Sequence, residues 1–343
     1  MDIFDPLQIS DDGCTCEDYT IGWICVLAKE QTAAMMMLDK RHPDIQKQSN
    51  DPNTYNLGSI GQHNVVIACL PLSLNGSNTV ATIAVWMTST FPSIRLCLLV
   101  GIGSGIPPKV RLGDVVVGMP YNGLPGVVGW QLGKHEAYEK TDEMRHPPSI
   151  LISALTKLES IHEIQGSRMV EYLAKVKQHK RLALSYLVSD ALQDPFLEKD
   201  DHEKTNERHV DGVATPEVND SLKMESTQNI KPETRETKIH YGLIASTSFP
   251  IKDKATRGNL NSSLGNDRLL CIDTEVSDLT INFPCIVIRG ICDYADEQNS
   301  ACSSWQKPAA AVSAAFAKEV LSVLPEAEVA HLPTIKSMGP SAF

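Results

Sequence analysis

Two groups of residues in this chain are placed to do chemistry. The first is a glycine run, Val100-Gly101-Ile102-Gly103-Ser104-Gly105-Ile106-Pro107-Pro108, which follows an apolar stretch. Glycines at such a place let a ligand approach the backbone closely. A dinucleotide fingerprint would need a helix directly after the glycines, and Pro107-Pro108 followed by a strand denies it. A nucleophile elbow is excluded too, because Ile102 stands where G-x-S-x-G needs its first glycine. The spacing suits a tight strand-to-loop turn and a ligand loop about equally, since open α/β sheets bind ligands at the carboxyl ends of their strands.

The second group is a set of acids at strand ends. Glu30 sits just past the first buried strand, Asp273 and Glu275 flank the end of another, and Asp293 and Asp296 follow a third. In a mainly parallel sheet these ends converge on one crevice. Acids at its mouth can serve as general acid and base. Helix N-capping puts carboxylates at the same junctions. For any one of these acids, capping explains the position as well as catalysis does; as a set they favour a site.

The elements that must carry these residues alternate along the chain. Thr20–Ala28 is a continuous apolar run rich in β-branched residues, the pattern of a strand buried on both faces. A helix is expected from Glu30 to Asp39, strands at Tyr55–Ile60 and Asn64–Leu70, and a helix from Asn78 to Thr88. Arg95–Val100 and Asp114–Met119 read as strands, and Pro147-Pro148 open a helix to about Ile161. Ser167 to Ser185 stays helical but polar and basic. Order resumes with strands at Ile239–Ser246, Leu269–Thr274 and Cys285–Ile291 and helices at Lys254–Leu264, Glu275–Asn282 and Ala309–Leu324. Both halves supply buried strands. The expectation is therefore one α/β domain over residues 18–325, with a central mixed sheet flanked by helices. A polar insertion at about 194–238, without apolar period, is expected to be disordered. Residues 1–17 and 326–343 read as flexible tails.

Composition narrows the class. The chain has 343 residues, 42% of them hydrophobic and 21% charged, which suits a globular enzyme or binding domain. A formal charge of −11 argues against a nucleic-acid partner, whose phosphates are gripped by cations. No apolar run reaches the ~18 residues of a membrane helix, and Met1–Thr20 lacks a signal-peptide pattern. Nine scattered cysteines read as reduced core thiols of a cytoplasmic protein, with the nucleus left open. No Cys/His spacing calls for a metal.

Three motifs taken together resemble the nucleoside phosphorylase and nucleosidase superfamily. They are the opening strand ending in Glu30, the V-G-I-G-S-G-I-P run followed by R-L-G-D-V-V-V-G, and the closing pair C-I-D-T-E-V and I-R-G-I-C-D-Y-A-D. The chain is most similar to a fungal branch often found at the N-terminus of receptor-like multidomain proteins. D-Y-T-I-G-W-I-C and I-H-Y-G-L-I-A-S are typical of that branch. The resemblance implies a single phosphorylase-like domain that cleaves the N-glycosidic bond of a purine nucleoside or analogue and releases free base. It implies a small-molecule nucleoside partner, no cofactor, and assembly as a homo-oligomer; charge and hydropathy separately argue for no nucleic-acid partner and no membrane span.

Residue by residue, the resemblance makes Glu30 the base for an attacking water and Asp293 the general acid at purine N7. Glu275 would hold the ribose hydroxyls, with Asp273 and Thr274 beside it. Gly101, Ile102, Gly103 and Ser104 would lie beneath the ribose and nucleophile, and Ser246 to Ile251 beside the base. The chain departs from the family's glutamate-methionine-glutamate signature, which reads here Asp273-Thr274-Glu275. Phosphorylases of the superfamily carry Ser or Thr where Ile102 stands, so the sequence leans to water, with phosphate left open as co-substrate. The alternative reading is a catalytically weak module that senses a nucleoside or nucleotide.

Overall fold

The structure is a computed structural model that describes residues 9, 13–70, 77–132, 138–141, 146–188, 192, 194, 236–247, 250–264, 268–274, 283–296 and 302–338. Among these, eleven strands form one mixed sheet. In chain order they are β1 (Ile21–Cys25), β2 (Lys40–Arg41), β3 (Tyr55–Ile60), β4 (His63–Cys69), β5 (Leu96–Gly105), β6 (Val115–Gly118), β7 (Val127–Leu132), β8 (Tyr138–Lys140), β9 (Ile239–Thr247), β10 (Leu269–Asp273) and β11 (Cys285–Asp293). Their order across the sheet is β2-β3-β4-β1-β5-β11-β6-β9-β7-β8. β10 lies off this path and bridges β5 and β9. Thus β5, β11, β6, β9 and β10 close on themselves in a ring. That closure brings the ends of β5, β10 and β11 together, although they are far apart in sequence.

The helices are α1 (Ala28–Met37), α2 (Ser77–Thr90), α3 (Ser149–Gln165), α4 (Met169–Val176), α5 (Lys180–Tyr186), α6 (Lys254–Ser263), α7 (Cys302–Val323) and α8 (Glu326–His331). β1, β5 and β11 read as near-continuous apolar runs because both faces are covered. On one face, α7 packs against β5 and β11 and against α1, α3, α4 and α5. Its alanines at 309, 310, 311, 314, 315 and 317 are all buried. Small side chains let this helix approach the sheet closely.

The approach is tightest at Gly290, in the middle of β11. A Cβ there would lie 1.9 Å from the Ala309 carbonyl oxygen. Backbone cannot move aside as a flexible side chain can. Gly290→Ala is therefore expected to lower stability by about 3 kcal/mol, read as a shift of the urea midpoint without a change in slope.

The structure differs from the sequence reading in several places. The glycine run is not a loop: Gly101–Gly105 continue β5, with Ser104 opposite Asp293 on β11 and opposite Ile272 on β10. Neighbouring strands take up its backbone groups, and missing side chains make room for those of its neighbours. β7 and β8 were not anticipated, since Gly129 interrupts a short apolar run; parallel pairing with β9 makes β7 a strand. Residues 326–338, expected as tail, form α8 and a 3-10 turn at Ile335–Ser337, because Val329 and Ile335 find apolar cover. At the other end, Thr15 caps a 3-10 turn over Cys16–Asp18 through Asp18, and Cys14 and Cys16 pack partly buried against the core. The expected helix Glu275–Asn282, and the 194–238 insertion apart from Asp194 and residues 236–238, lie outside the described residues. Cys14, Cys16, Cys25, Cys69, Cys97, Cys271, Cys285 and Cys292 are free thiols. Among the described residues no single helix is long and apolar enough to cross a membrane.

Candidate active site

Glu30 lies in the first turn of α1 and is only 5% exposed. Its Oε2 accepts hydrogen bonds from the N–H groups of Val26 at 2.8 Å and Leu27 at 2.9 Å. Two donors that the helix start would leave unpaired are thereby satisfied. Its Oε1 accepts from the Ile102 N–H at 2.9 Å. Capping and site geometry are thus one arrangement, and the carboxylate ties α1 to the glycine run of β5. Burial pushes the Glu30 carboxyl above the ordinary glutamate range; Arg289 and the three backbone donors oppose the shift without cancelling it.

Arg289, on β11, is 1% exposed. Its Nε donates to Asp273 Oδ2 at the end of β10. Its Nη1 is buried without a hydrogen-bond partner among the described residues. Burial favours the neutral form, but Asp273 and Glu30 outweigh it and hold the guanidinium protonated. Gly101 makes room for both head groups. A Cβ there would lie 2.4 Å from Glu30 Oε1 and 2.6 Å from Arg289 Nη1.

Asp293 ends β11. Its Oδ1 accepts from the Ala295 N–H at 2.9 Å, and its Oδ2 accepts from the Cys292 thiol at 3.3 Å. The turn after it is strained, since Ala295 sits at φ +50° in the left-handed region. Asp273 Oδ1 accepts from the Thr274 N–H at 2.5 Å, which fixes this carboxylate as well.

These groups meet in one cavity of about 400 Å³. Glu30, Ile102, Gly103, Ser104 and Asp293 line it. So do Ile251, Asp273 and Thr274 from the other side, with Arg289 between. Gly101 lies directly behind, under Glu30 and Arg289. Ser246 is buried in β9, in register with Asp273, and is not among the described lining residues. Glu275 lies outside the described residues.

Sequence reading missed Arg289, taking C-I-V-I-R-G-I simply as a buried strand. The signal was present. An arginine inside an otherwise apolar strand must be paired if it is buried. Two carboxylates at distant strand ends were the available partners.

A cavity floored by an acid–arginine–acid group, with a further acid at its edge, sits here at the carboxyl ends of strands. Two solved structures to which the chain is similar are 5′-methylthioadenosine/S-adenosylhomocysteine nucleosidases. One, from Neisseria meningitidis, is in complex with methylthio-immucillin-A; it is 16% identical, with a TM-score of 0.53, and the match covers 89% of this chain and 99% of that one. The other, from S. pneumoniae with a transition-state inhibitor, is 16% identical with a TM-score of 0.53 over 89% of this chain and 100% of that one. This chain shares the fold of these nucleosidases. Futalosine hydrolase of Helicobacter pylori shares the nucleosidase fold, with 14% identity, a TM-score of 0.51 and coverage of 90% of this chain and 99% of that one. No protein-family model matches the chain. A curated relative from Hyaloscypha variabilis, described as a nucleotide-binding leucine-rich repeat (NLR)-like protein, is 36% identical over 327 residues. That match takes in 92% of this chain, which spans only 30% of the relative's length.

Proposed function

We propose that this nucleosidase-fold chain cleaves the N-glycosidic bond of a purine nucleoside or close analogue, with water as nucleophile. One observation carries the reading: Glu30, Arg289 and Asp293 converge on one cavity from separate elements. The neighbours that share the fold act on, or are complexed with, nucleosides and their analogues, which supports the same substrate class here.

The chemistry follows from the geometry. Glu30, with its carboxyl held above the ordinary range, is a stronger base than a free glutamate and suited to accept the proton of an attacking water. The unpartnered Nη1 of Arg289 is aimed to orient a water oxygen beside Glu30. As the sugar gains positive character, the carboxylates of Glu30 and Asp273, which share Arg289, stabilise it. Asp293 supplies the proton to purine N7, so the base leaves neutral. Glu275 holds the ribose diol in this reading, with Thr274 in place of a bulkier neighbour. No resident cofactor takes part.

Charge argues for water over phosphate. Among the described lining residues, with Asp293 set aside as the proton donor, the acids Glu30, Asp273 and Asp296 outnumber the cations Arg289 and Lys252. A net negative cavity disfavours an incoming phosphate dianion. Incubation with adenosine, inosine, guanosine and methylthioadenosine, followed by chromatography, is expected to show free base at a rate unchanged by added phosphate. Release that requires phosphate, with a sugar phosphate as co-product, would reverse the choice of nucleophile. The sensing alternative draws on the NLR-like relative. Calorimetric binding of a nucleoside with no product would favour it.

A further inference from the structure

The turn that carries Asp293 is held from behind by a residue a hundred positions away. Asp194 is buried, at 4% exposure. The Tyr294 hydroxyl donates to its carboxylate, lying 2.9 Å from both oxygens. The Leu112 N–H donates to Asp194 Oδ2 at 3.1 Å and to the Tyr294 hydroxyl oxygen at 3.1 Å. Three polar groups, all buried, thus close on one another behind the cavity. Tyr294 itself is 1% exposed and directly follows Asp293. Its carbonyl oxygen accepts from Arg257 Nη1 on α6.

We propose that Asp194 is a positioning residue for Asp293, acting through the Tyr294 hydroxyl. This rests on the reading of Asp293 as the acid. A left-handed Ala295 persists only where its surroundings over-determine it. Among the described contacts the turn is pinned by the Tyr294 hydroxyl on Asp194, the Leu112 N–H on that hydroxyl, the Tyr294 carbonyl on Arg257, and the Ala295 N–H on Asp293 itself. Loss of Asp194 takes away the acceptor of the Tyr294 hydroxyl proton, so the ring shifts and the carboxylate moves with it. Asp194 is the head of the polar stretch read from sequence as a disordered insertion. That stretch is therefore anchored, at its first residue, to the back of the active site.

The test compares Tyr294→Phe, Asp194→Ala and Asp194→Asn in the full chain. Tyr294→Phe and Asp194→Ala are expected to lower kcat roughly 10- to 100-fold with KM little changed, as for a misplaced catalytic group. Asp194→Asn can still accept from Leu112 and donate to the tyrosine oxygen, so it is expected to stay within about threefold of the parent. The double variant should lose no more than either single one. Hydrogen exchange reads the clamp without turnover. Protection of the Ala295 amide should drop roughly tenfold or more in Tyr294→Phe while amides of β1 keep theirs. Should the parent chain release no base, the proposed function fails, and the exchange result still decides the clamp. Turnover in the parent, together with unchanged kcat and unchanged Ala295 protection in Tyr294→Phe, would overturn the clamp and leave the function standing.

Discussion

Asp293→Asn is expected to reduce kcat by about 10²–10⁴-fold, the usual contribution of a positioned general acid. KM should change little, because proton donation to the leaving base develops only in the transition state. The fold should survive. An asparagine Oδ1 can still accept the Ala295 N–H that Asp293 Oδ1 accepts now. Its amide differs from the carboxyl in one respect that matters here: it cannot hand over a proton. Quantifying free base by chromatography, alongside a urea midpoint that stays in place, checks both halves of the expectation. Equal turnover in Asp293→Asn would remove Asp293 from the mechanism and require another proton donor at the cavity.

Arg289→Met should have the largest effect on stability. It removes the cation between Glu30 and Asp273 and leaves buried negative charge without its partner. Breaking a buried ion pair from one side costs about 3–5 kcal/mol, visible as a lower denaturant midpoint. The loss carries a pH signature. Burial raises the Glu30 carboxyl in the folded state above its unfolded value, while Arg289 pulls it back. The native state then binds more protons than the unfolded state across that window, so the Glu30 contribution to stability declines as pH rises through it. Without Arg289 the folded value climbs further and the window widens upward. The deficit of the variant is accordingly expected to grow as pH rises above the ordinary glutamate value of about 4.3 and to shrink as pH falls well below it, where Glu30 is protonated in both states. A deficit that does not vary with pH would mean that Arg289 does not govern Glu30. Loss of base release should accompany the variant, since the group aimed at the nucleophile is gone.

Much of the scaffold could be read from local pattern. The buried strands at 21–25 and 285–291 announce themselves as apolar runs with β-branched residues, and α7 as an alanine-rich stripe. Asp253 before α6 is a side-chain cap of the ordinary kind, accepting from the Thr256 N–H at 2.7 Å. Glu30 and Asp293 were legible as strand-end acids because chain order alone puts them at junctions.

Pairing was not legible, because it depends on residues distant in sequence. Gly101–Gly105 look like a turn when taken alone, and become strand only because β10 and β11 satisfy their backbones. Arg289 looks anomalous within β11 until closure of the sheet supplies Asp273 on one side and Glu30 on the other. Asp194 reads as the start of a polar stretch until the Tyr294 hydroxyl meets it. The amino-acid sequence alone therefore determined the kinds of element and the acids available for chemistry, since both follow from side-chain type and spacing. Tertiary structure decided which charges face each other in a space dry enough for their pairing to matter, because burial and distance are properties of the closed sheet and not of any segment of it.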